Sequence, residues 1–177
     1  MSLYLGDYVL LRDSLQCDGE LFWHYVARFL TCIGARISEL RMFTVESVQT
    51  GHLDIISKGQ KLRRVYIPTS LQCDALNWLR GISRNEGFLF VAKGDKPMTA
   101  RGIPMGLKRF ADKYGIDQDV VYPHSFRHRF VKNFIGRNPD IELFVDLMGH
   151  ESLETTRVYL RRTASEQRAA VDAAVDW

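Results

Sequence analysis

The chain has no long run of apolar residues. A membrane-spanning helix needs about 20 consecutive apolar residues, and charged or polar side chains interrupt every apolar stretch sooner than that. The opening residues, MSLYLGDYVLLRD, also lack the basic start and continuous apolar segment of a secretory signal peptide. These absences argue against membrane and exported proteins, and we expect a cytoplasmic protein that has no membrane partner.

Cysteine is scarce, and linkers rich in proline, glycine or serine are missing. The cysteines Cys17, Cys32 and Cys73 lie far apart without a CxxC pair, so neither a disulfide framework nor a zinc site is predicted. No repeat or low-complexity tract interrupts the 177 residues, of which 46% are hydrophobic and 25% charged. We therefore expect one domain over residues 1–177, in which residues 1–3 could be a remnant of expression cloning.

Positive charge is unevenly distributed along the chain. The formal net charge is only +3, but residues 57–64 hold four Lys or Arg and no acid, and residues 100–137 hold eight Lys or Arg against three Asp. Beyond residue 162 the acidic side chains outnumber the basic ones. Separating cations from an acidic tail favours a face that binds a polyanion, although runs of like charge are also common on ordinary solvated surfaces.

Hydrophobic periodicity predicts a mostly α-helical fold with one small antiparallel β-sheet. Apolar side chains recur at helical spacing over residues 19–33, and Gly34 is predicted to end that helix. A period near two over residues 48–57 and 62–68 predicts two strands joined by a basic turn. Further helices are predicted over residues 37–43, 71–79, 104–114, 124–136, 138–148, 153–160 and 163–174.

Three polar groups stand out at helix starts and turns. They are Arg36 in CIGARISEL, His124 with Arg127 in PHSFRHRF, and His150 with Tyr159 in LMGHESLETTRVYL. Each group alone has an ordinary explanation: an arginine in an ion pair, a histidine whose hydrogen bonds are satisfied, or a tyrosine that packs on a helix. Their chemistry becomes informative when the groups are considered together.

These residue types suit the transfer of a phosphodiester bond. Two guanidinium groups can each hold non-bridging phosphate oxygens bidentately, and a histidine donor can stabilise the charge that builds up in the transition state. A tyrosine hydroxyl, whose free pKa is about 10, can act as the nucleophile when cations stabilise its phenolate. A lysine on the basic turn, such as Lys58, could donate a proton to the leaving sugar oxygen.

These segments resemble the catalytic domain of the tyrosine recombinase, or phage integrase, family. Residues 33–40, IGARISEL, match the family's Thr-Gly-Leu-Arg-x-x-Glu-Leu box, and residues 124–127, HSFR, match its His-x-x-Arg box. Residues 148–159, MGHESLETTRVY, match the Leu-Gly-His box with its following threonines and tyrosine, and residues 58–59 match the Lys-Gly turn. Order and spacing agree over residues 5–165.

The resemblance implies an enzyme that breaks and rejoins double-stranded DNA. Tyr159 is expected to attack a DNA phosphate, which makes a 3′-phosphotyrosyl link and frees a 5′-hydroxyl. Family members need neither ATP nor a metal ion, so no cofactor is expected. The remaining implied roles are phosphate binding by Arg36, Arg127 and His150, acid–base catalysis or phosphate contact by His124, and general acid catalysis by Lys58.

Some assignments have alternatives in the sequence. Lys61 lies in the same basic turn as Lys58 and competes for the general acid role, and the Lys-Gly match favours Lys58. Glu39 either orients Arg36 or makes a surface ion pair. His128 is predicted to be structural, because it lies four positions after His124 but no HExxH glutamate lies between them.

The resemblance also predicts the setting in which the domain acts. The amino-terminal DNA-binding domain of family members is expected to be absent, and integration or excision of a mobile element in the bacterial cytoplasm or nucleoid is the expected role. On DNA we expect a cyclic tetramer, and without DNA a monomer or weak oligomer. The terminal helix of residues 163–177 is expected to dock either on a neighbouring protomer or on its own domain.

Two other functions compete with recombination. A type IB topoisomerase uses similar residues to relax supercoils without exchanging strands, but the short sheet and the GHESLETTRVY segment favour a recombinase. A DNA-binding protein that has kept the fold and lost its activity is disfavoured, because all six expected residues are present.

Overall fold

The fold is mostly helical and includes one two-stranded antiparallel sheet, which confirms the predicted fold class. The computed structural model describes residues 3–56, 62–92, 94–137 and 140–148. Its elements in chain order are α1 Leu5–Cys17, α2 Leu21–Ile33, α3 Ile37–Leu40, α4 Val45–Thr50, β1 His52–Ile56, β2 Leu62–Tyr66, α5 Thr69–Gly81, α6 Gly102–Lys113, α7 Pro123–Arg137 and α8 Ile141–Met148.

Helix α2 forms the centre of the core. Its sequence is almost entirely apolar, and it packs against α1, α5, α6 and α7. Phe29 lies fully buried between Phe43 and Phe90, with ring centroids 5.6 and 5.3 Å away. The helix ends at Gly34, whose φ of 63° lies in the left-handed region that glycine adopts without strain. The predicted stop at this glycine is confirmed.

The sheet has one face against the core and one face in solvent. Residues alternate between the two faces along each strand, so Ile55, opposite Arg63, points inward together with Val65. On the outer face, Arg64 donates two hydrogen bonds to the Asp54 carboxylate, at 2.7 and 2.8 Å. One of the arginines in the basic segment is therefore directed into the protein.

Two boundaries predicted around this sheet are wrong. The first strand begins at His52 rather than at residue 48, because residues 45–50 form α4. Thr44 caps that helix by accepting a hydrogen bond from the Ser47 amide at 3.1 Å, and a capping side chain favours a helix over a strand. Helix α3 ends at Leu40 rather than at residue 43, because a tight turn follows it.

Helix α1 is an element that the sequence pattern did not predict. It buries Tyr8, Leu11 and Leu15 on one face, while Leu5 and Leu10 are exposed. The exposed leucines obscure the helical period in the sequence. Leu3, one of the three residues considered as a cloning remnant, is only 2% exposed and packs in the core.

A second apolar cluster joins α7 to α8. Val131 of α7 and Phe144 and Met148 of α8 are fully buried, and Phe130 and Phe134 pack against them. This cluster holds the end of α8 against α7. The predicted helices over residues 153–160 and 163–174 lie outside the described residues. Within the described ranges, no helix is both long and apolar enough to cross a membrane.

We predict that Gly106→Ala destabilises the fold, because a Cβ at this position of α6 would lie 1.8 Å from the Trp23 ring. Overpacking of this kind costs about 1–3 kcal/mol, which chemical denaturation followed by circular dichroism measures as a lower free energy of unfolding. Gly136→Ala is the matched control, because, apart from the adjoining backbone, no atom of the described residues lies within 4 Å of a Cβ built there. Equal free energies of unfolding for the two variants would contradict the packing described for α2 and α6.

Candidate active site

Arg36 is held by a carboxylate one helical turn further along the chain. The Arg36 backbone amide donates to Glu39 Oε2 at 2.7 Å, and its Nη1 donates to Glu39 Oε1 at 2.9 Å. The Glu39 side chain is 8% exposed and that of Arg36 is 45% exposed. Of the two roles predicted for Glu39, a surface ion pair does not fit this burial, whereas orientation of Arg36 does.

A second arginine binds the same carboxylate from the sheet. Arg63 Nη1 donates to Glu39 Oε1 at 2.6 Å, and Arg63 Nε donates to the carbonyl oxygen of Leu147 at 2.9 Å. Burial lowers the pKa of the Arg63 guanidinium, while the charge of Glu39 opposes that shift. An arginine nevertheless stays protonated inside proteins. Arg63 therefore joins three elements, α3, β2 and α8.

Arg127 is buried and bonded to the backbone near Arg36. It is 3% exposed, and its Nη1 donates to the carbonyl oxygen of Gly34, 93 positions earlier in the chain. Its Nη2 donates to the carbonyl oxygen of Met148 at 3.3 Å. These two bonds fix the Arg127 guanidinium beside the segment that carries Arg36.

The end of α8 is bound by both buried arginines. Arg63 binds the carbonyl oxygen of Leu147, and Arg127 binds that of Met148. The last carbonyls of a helix have no partner inside the helix, and cationic donors are the favoured partners at that end. The two bonds therefore fix the point from which the chain continues toward residue 150.

The two histidines of α7 have different surroundings. His124 is exposed in the first turn, three positions before Arg127, so both lie on the same side of the helix. His128 is half-buried, and burial, with the nearby charges of His124 and Lys132 as smaller causes, lowers the pKa of its imidazole. His128 is therefore uncharged at neutral pH, which suits the structural role predicted for it.

The remaining predicted site residues lie outside the described ranges. These residues are Lys58, its competitor Lys61, His150 and Tyr159. Only the nearest described residues on either side of them in the sequence can be placed relative to the site. Residue 62 starts the strand that carries Arg63, and residue 148 is bound by Arg127. Both attachment points therefore belong to the same network as Arg36.

The chemistry open to this cluster is the binding of an anion. Arg36, Glu39, Arg63 and Arg127 sum to a charge of +2, and of the three cations only the Arg36 side chain is substantially exposed. No three His, Cys, Asp or Glu side chains of the described residues form a group that could hold a metal ion. A solvent-facing guanidinium supported by buried ones is well suited to a phosphate group.

A polar cleft of about 380 Å³ between α1, α2 and α5 contains none of the predicted site residues. Its two arginines are paired with acids, Arg12 with Asp13 at 2.6 Å and Arg28 with Asp74 at 2.8 Å. The charges of these four residues cancel, so this cleft does not favour a polyanion.

The role of Arg63 was not predicted from the sequence, in which this residue is one cation of a basic segment. The signal that reveals it is the alternation along LRRVY. In a strand, residues two apart share a face, and Arg63 therefore lies on the same face as buried Val65. A cation on the apolar face of a strand requires a buried partner of opposite charge, and Glu39 is that partner.

We predict that Gly34→Ala lowers the free energy of unfolding by more than its backbone strain alone explains. Gly34 has φ +63°, and a Cβ there would lie 2.3 Å from the Phe130 ring. The control is Gly19→Ala, because Gly19 has φ +73° and, within the described part of the chain, only its sequence neighbours come within 4 Å of such a Cβ. The left-handed strain costs about 1–2 kcal/mol in each variant, and the clash adds about 1–3 kcal/mol at Gly34 alone.

Urea denaturation of both variants measures the difference in the free energy of unfolding. A loss in Gly34→Ala no greater than that in Gly19→Ala would mean that α7 does not pack against this turn as described.

Two curated proteins illustrate the sequence similarity. The chain is 34% identical over 147 residues to tyrosine recombinase XerA of Pyrococcus furiosus, a match that covers 80% of this chain and 50% of the relative. It is 29% identical over 174 residues to tyrosine recombinase XerC of Methylobacterium nodulans, covering 95% of this chain and 51% of that protein. The chain thus spans about half the length of these relatives.

Solved structures share the fold. A crystal structure of XerA recombinase superposes with a TM-score of 0.80 at 21% identity, covering 100% of this chain and 66% of that chain. The Tn1549 transposon integrase bound to transposon right end DNA superposes with a TM-score of 0.75 at 18% identity, covering 98% and 66%.

The model of the phage integrase family matches residues 19–166, which include every site residue predicted from the sequence. The chain belongs to the phage integrase family, as a tyrosine recombinase catalytic domain.

Proposed function

We propose that this domain carries out site-specific recombination by cleaving and rejoining double-stranded DNA through Tyr159. The observation that carries the proposal is the bond from Arg127 to the carbonyl oxygen of Gly34, two residues before Arg36. It brings two arginines that are distant in the sequence to one short segment. In a chain of this family, such a pair fits the binding of one phosphate.

In the proposed reaction the Tyr159 oxygen attacks the phosphorus of a DNA phosphodiester, and the hydroxyl proton passes to His124 or to water. A bond forms between that oxygen and phosphorus, and the bond from phosphorus to the 5′ oxygen of the next nucleotide breaks. Lys58 donates a proton to the leaving 5′ oxygen, in preference to Lys61. The products are a 3′-phosphotyrosyl link and a free 5′-hydroxyl.

The charged groups would act mainly on the transition state. Negative charge increases on the phosphate oxygens as the nucleophile approaches, and donors that are already in position stabilise it without reorganising. Arg36 and Arg127 would bind the non-bridging oxygens, with His150 beside them, and His124 would contact the phosphate or transfer a proton. One ester is exchanged for another, so the reaction needs neither ATP nor a metal ion, and a 5′-hydroxyl reverses it.

Solved structures that share this fold support DNA as the partner. The structural neighbours include XerH site-specific recombinase bound to a difH substrate and the Tn1549 integrase bound to transposon DNA. We extend to this chain a cyclic tetramer on DNA, with the helix of residues 163–177 docked on a neighbouring protomer. We also propose that an amino-terminal DNA-binding domain completes the active protein, since the chain spans about half of its curated relatives.

For the biological role we propose integration or excision of a mobile element in the bacterial cytoplasm or nucleoid. The fold similarity to a transposon integrase supports this role. The sequence similarity to XerA and XerC supports the alternative, which is resolution of chromosome dimers. Mapping covalent protein–DNA adducts in cells separates the two. Adducts at both ends of an element support the proposal, and adducts at a single chromosomal site contradict it.

We predict that the domain forms a covalent adduct with a DNA duplex that is nicked next to the cleavage point. The short fragment released by cleavage diffuses away, so religation cannot occur and the adduct accumulates. Tyr159→Phe is expected to abolish the adduct, because the variant lacks the attacking oxygen while its packing volume is almost unchanged. Denaturing gel electrophoresis measures the adduct.

The proposal fails if Tyr159→Phe forms as much adduct as the unaltered chain. It also fails if no adduct forms even when an amino-terminal DNA-binding domain is supplied, a result that would favour a DNA-binding protein without activity. Relaxation of a plasmid by single protomers, without exchange between sites, would favour a topoisomerase.

DNA binding by the isolated chain is expected to be weak and strongly salt-dependent. Each phosphate that the protein neutralises contributes about −0.9 to the slope of log K against log salt, and this chain can cover only part of a recombination site. Fluorescence anisotropy at several salt concentrations measures the slope. Binding that stays unchanged as salt rises would contradict a phosphate-binding face.

A further inference from the structure

The Glu39 carboxylate is shared by two arginines that differ in exposure. Its Oε1 accepts a hydrogen bond from Arg36 Nη1 at 2.9 Å and another from Arg63 Nη1 at 2.6 Å. The side chains of Arg63 and Glu39 are 6% and 8% exposed, whereas that of Arg36 is 45% exposed. One buried carboxylate is thus placed between a buried cation and a cation that reaches solvent.

Arg36, Glu39 and Arg63 together have one net positive charge. The two guanidiniums and one carboxylate sum to +1, and the buried ion pair of Glu39 with Arg63 already accounts for the negative charge. The charge that remains lies on Arg36. Without Arg63, Glu39 would be a buried carboxylate with Arg36 as its cation among the described residues, and the attraction between them would neutralise Arg36.

We propose that Arg63 is a positioning residue that neutralises Glu39, so that the charge of Arg36 stays available for a DNA phosphate. This inference rests on the proposed function, because it assumes that Arg36 binds the phosphate. Arg63 donates to Glu39 Oε1 at 2.6 Å, and in this role it acts through Glu39 and Arg36.

A second contact keeps Arg63 in this role. Its Nε donates to the carbonyl oxygen of Leu147 at 2.9 Å, so the guanidinium is fixed from the side opposite its Nη1. Its Nη2 is buried and has no hydrogen-bond partner among the described residues. A buried arginine that leaves a donor unused carries an energetic cost, which fits a charge that is retained for its effect on Glu39.

The first test is Arg63→Met, which keeps a similar length and removes the charge. We expect the rate constant of adduct formation on nicked DNA, measured at saturating DNA, to fall about 100-fold, the effect of losing one transition-state donor. Arg28→Met is the matched control, because Arg28 forms a partly buried ion pair with Asp74 at 2.8 Å in the cleft between α1, α2 and α5, which contains none of the predicted site residues. This control is expected to leave the rate constant unchanged.

The decisive test adds Glu39→Gln to Arg63→Met. In the double variant, positions 36, 39 and 63 again sum to a charge of +1, which Arg36 carries. We expect its rate constant to be at least about tenfold higher than that of Arg63→Met, because the transition-state stabilisation by Arg36 is regained. If Arg63 only supports the fold, the second substitution removes another hydrogen bond and lowers the rate further. A double variant no faster than Arg63→Met overturns the inference.

Folding is separated from the charge effect by the form of the kinetics. Misfolding lowers the amplitude of adduct formation, whereas loss of the Arg36 charge lowers the rate constant of the protein that remains folded. If Arg63→Met does not fold, Arg63→Lys takes its place, because it keeps the charge next to Glu39. Arg63→Lys is expected to keep a rate constant within about threefold of the unaltered chain, and a 100-fold loss would overturn the inference.

A binding measurement keeps this inference separate from the proposed reaction. If the unaltered chain forms no Tyr159-dependent adduct, the proposed function fails, and the salt slope of DNA binding then tests Arg63. Arg36→Met and Arg63→Met are each expected to reduce the slope by about 1, and Glu39→Gln to restore it in the second variant alone. An unchanged slope in Arg63→Met contradicts the inference.

Discussion

The site depends on two buried arginines that donate hydrogen bonds to successive carbonyl oxygens at the end of α8. Arg63 comes from the sheet and Arg127 from α7. Each also binds the segment IGARISEL of residues 33–40, where Arg63 binds the Glu39 carboxylate and Arg127 binds the Gly34 carbonyl oxygen. Burying a guanidinium is costly unless its donors are satisfied. Four segments are therefore held in one arrangement: residues 34–39, β2, α7 and the end of α8.

This constraint explains why the motifs are spaced as they are. Gly34 takes a left-handed conformation that ends α2 and presents its carbonyl oxygen to Arg127. Two residues later Arg36 starts α3, and Glu39 is in reach because it lies one turn along that helix. The glycine, the arginine and the glutamate of the motif thus have separate structural tasks within eight residues.

Much of the fold was predictable because it follows from local patterns. Helix α2 and its stop at Gly34 have a strong apolar period and a glycine in the position that ends a helix. The helix α1 was missed because Leu5 and Leu10 are exposed and weaken the period. The start of the sheet was misplaced because β-branched Val48 and Thr50 resemble the start of a strand, while the cap from Thr44 favours a helix there.

The site was predictable in part, for a related reason. Arg36 and Arg127 were found because they belong to short motifs in which the residue types suit a phosphate. The role of Arg63 depends on a contact with Glu39, 24 positions away, and a contact at that separation leaves no local period. Only the alternation along β2, which puts a cation on the apolar face, pointed to it.

The claim that Arg36 and Arg127 bind the same phosphate is tested most directly by a crystal structure of the chain with a nicked DNA duplex. Both guanidinium groups are expected within about 3 Å of the non-bridging oxygens of one phosphate at the nick. Guanidinium groups that contact different phosphates, or an Arg127 that contacts none, would contradict the account.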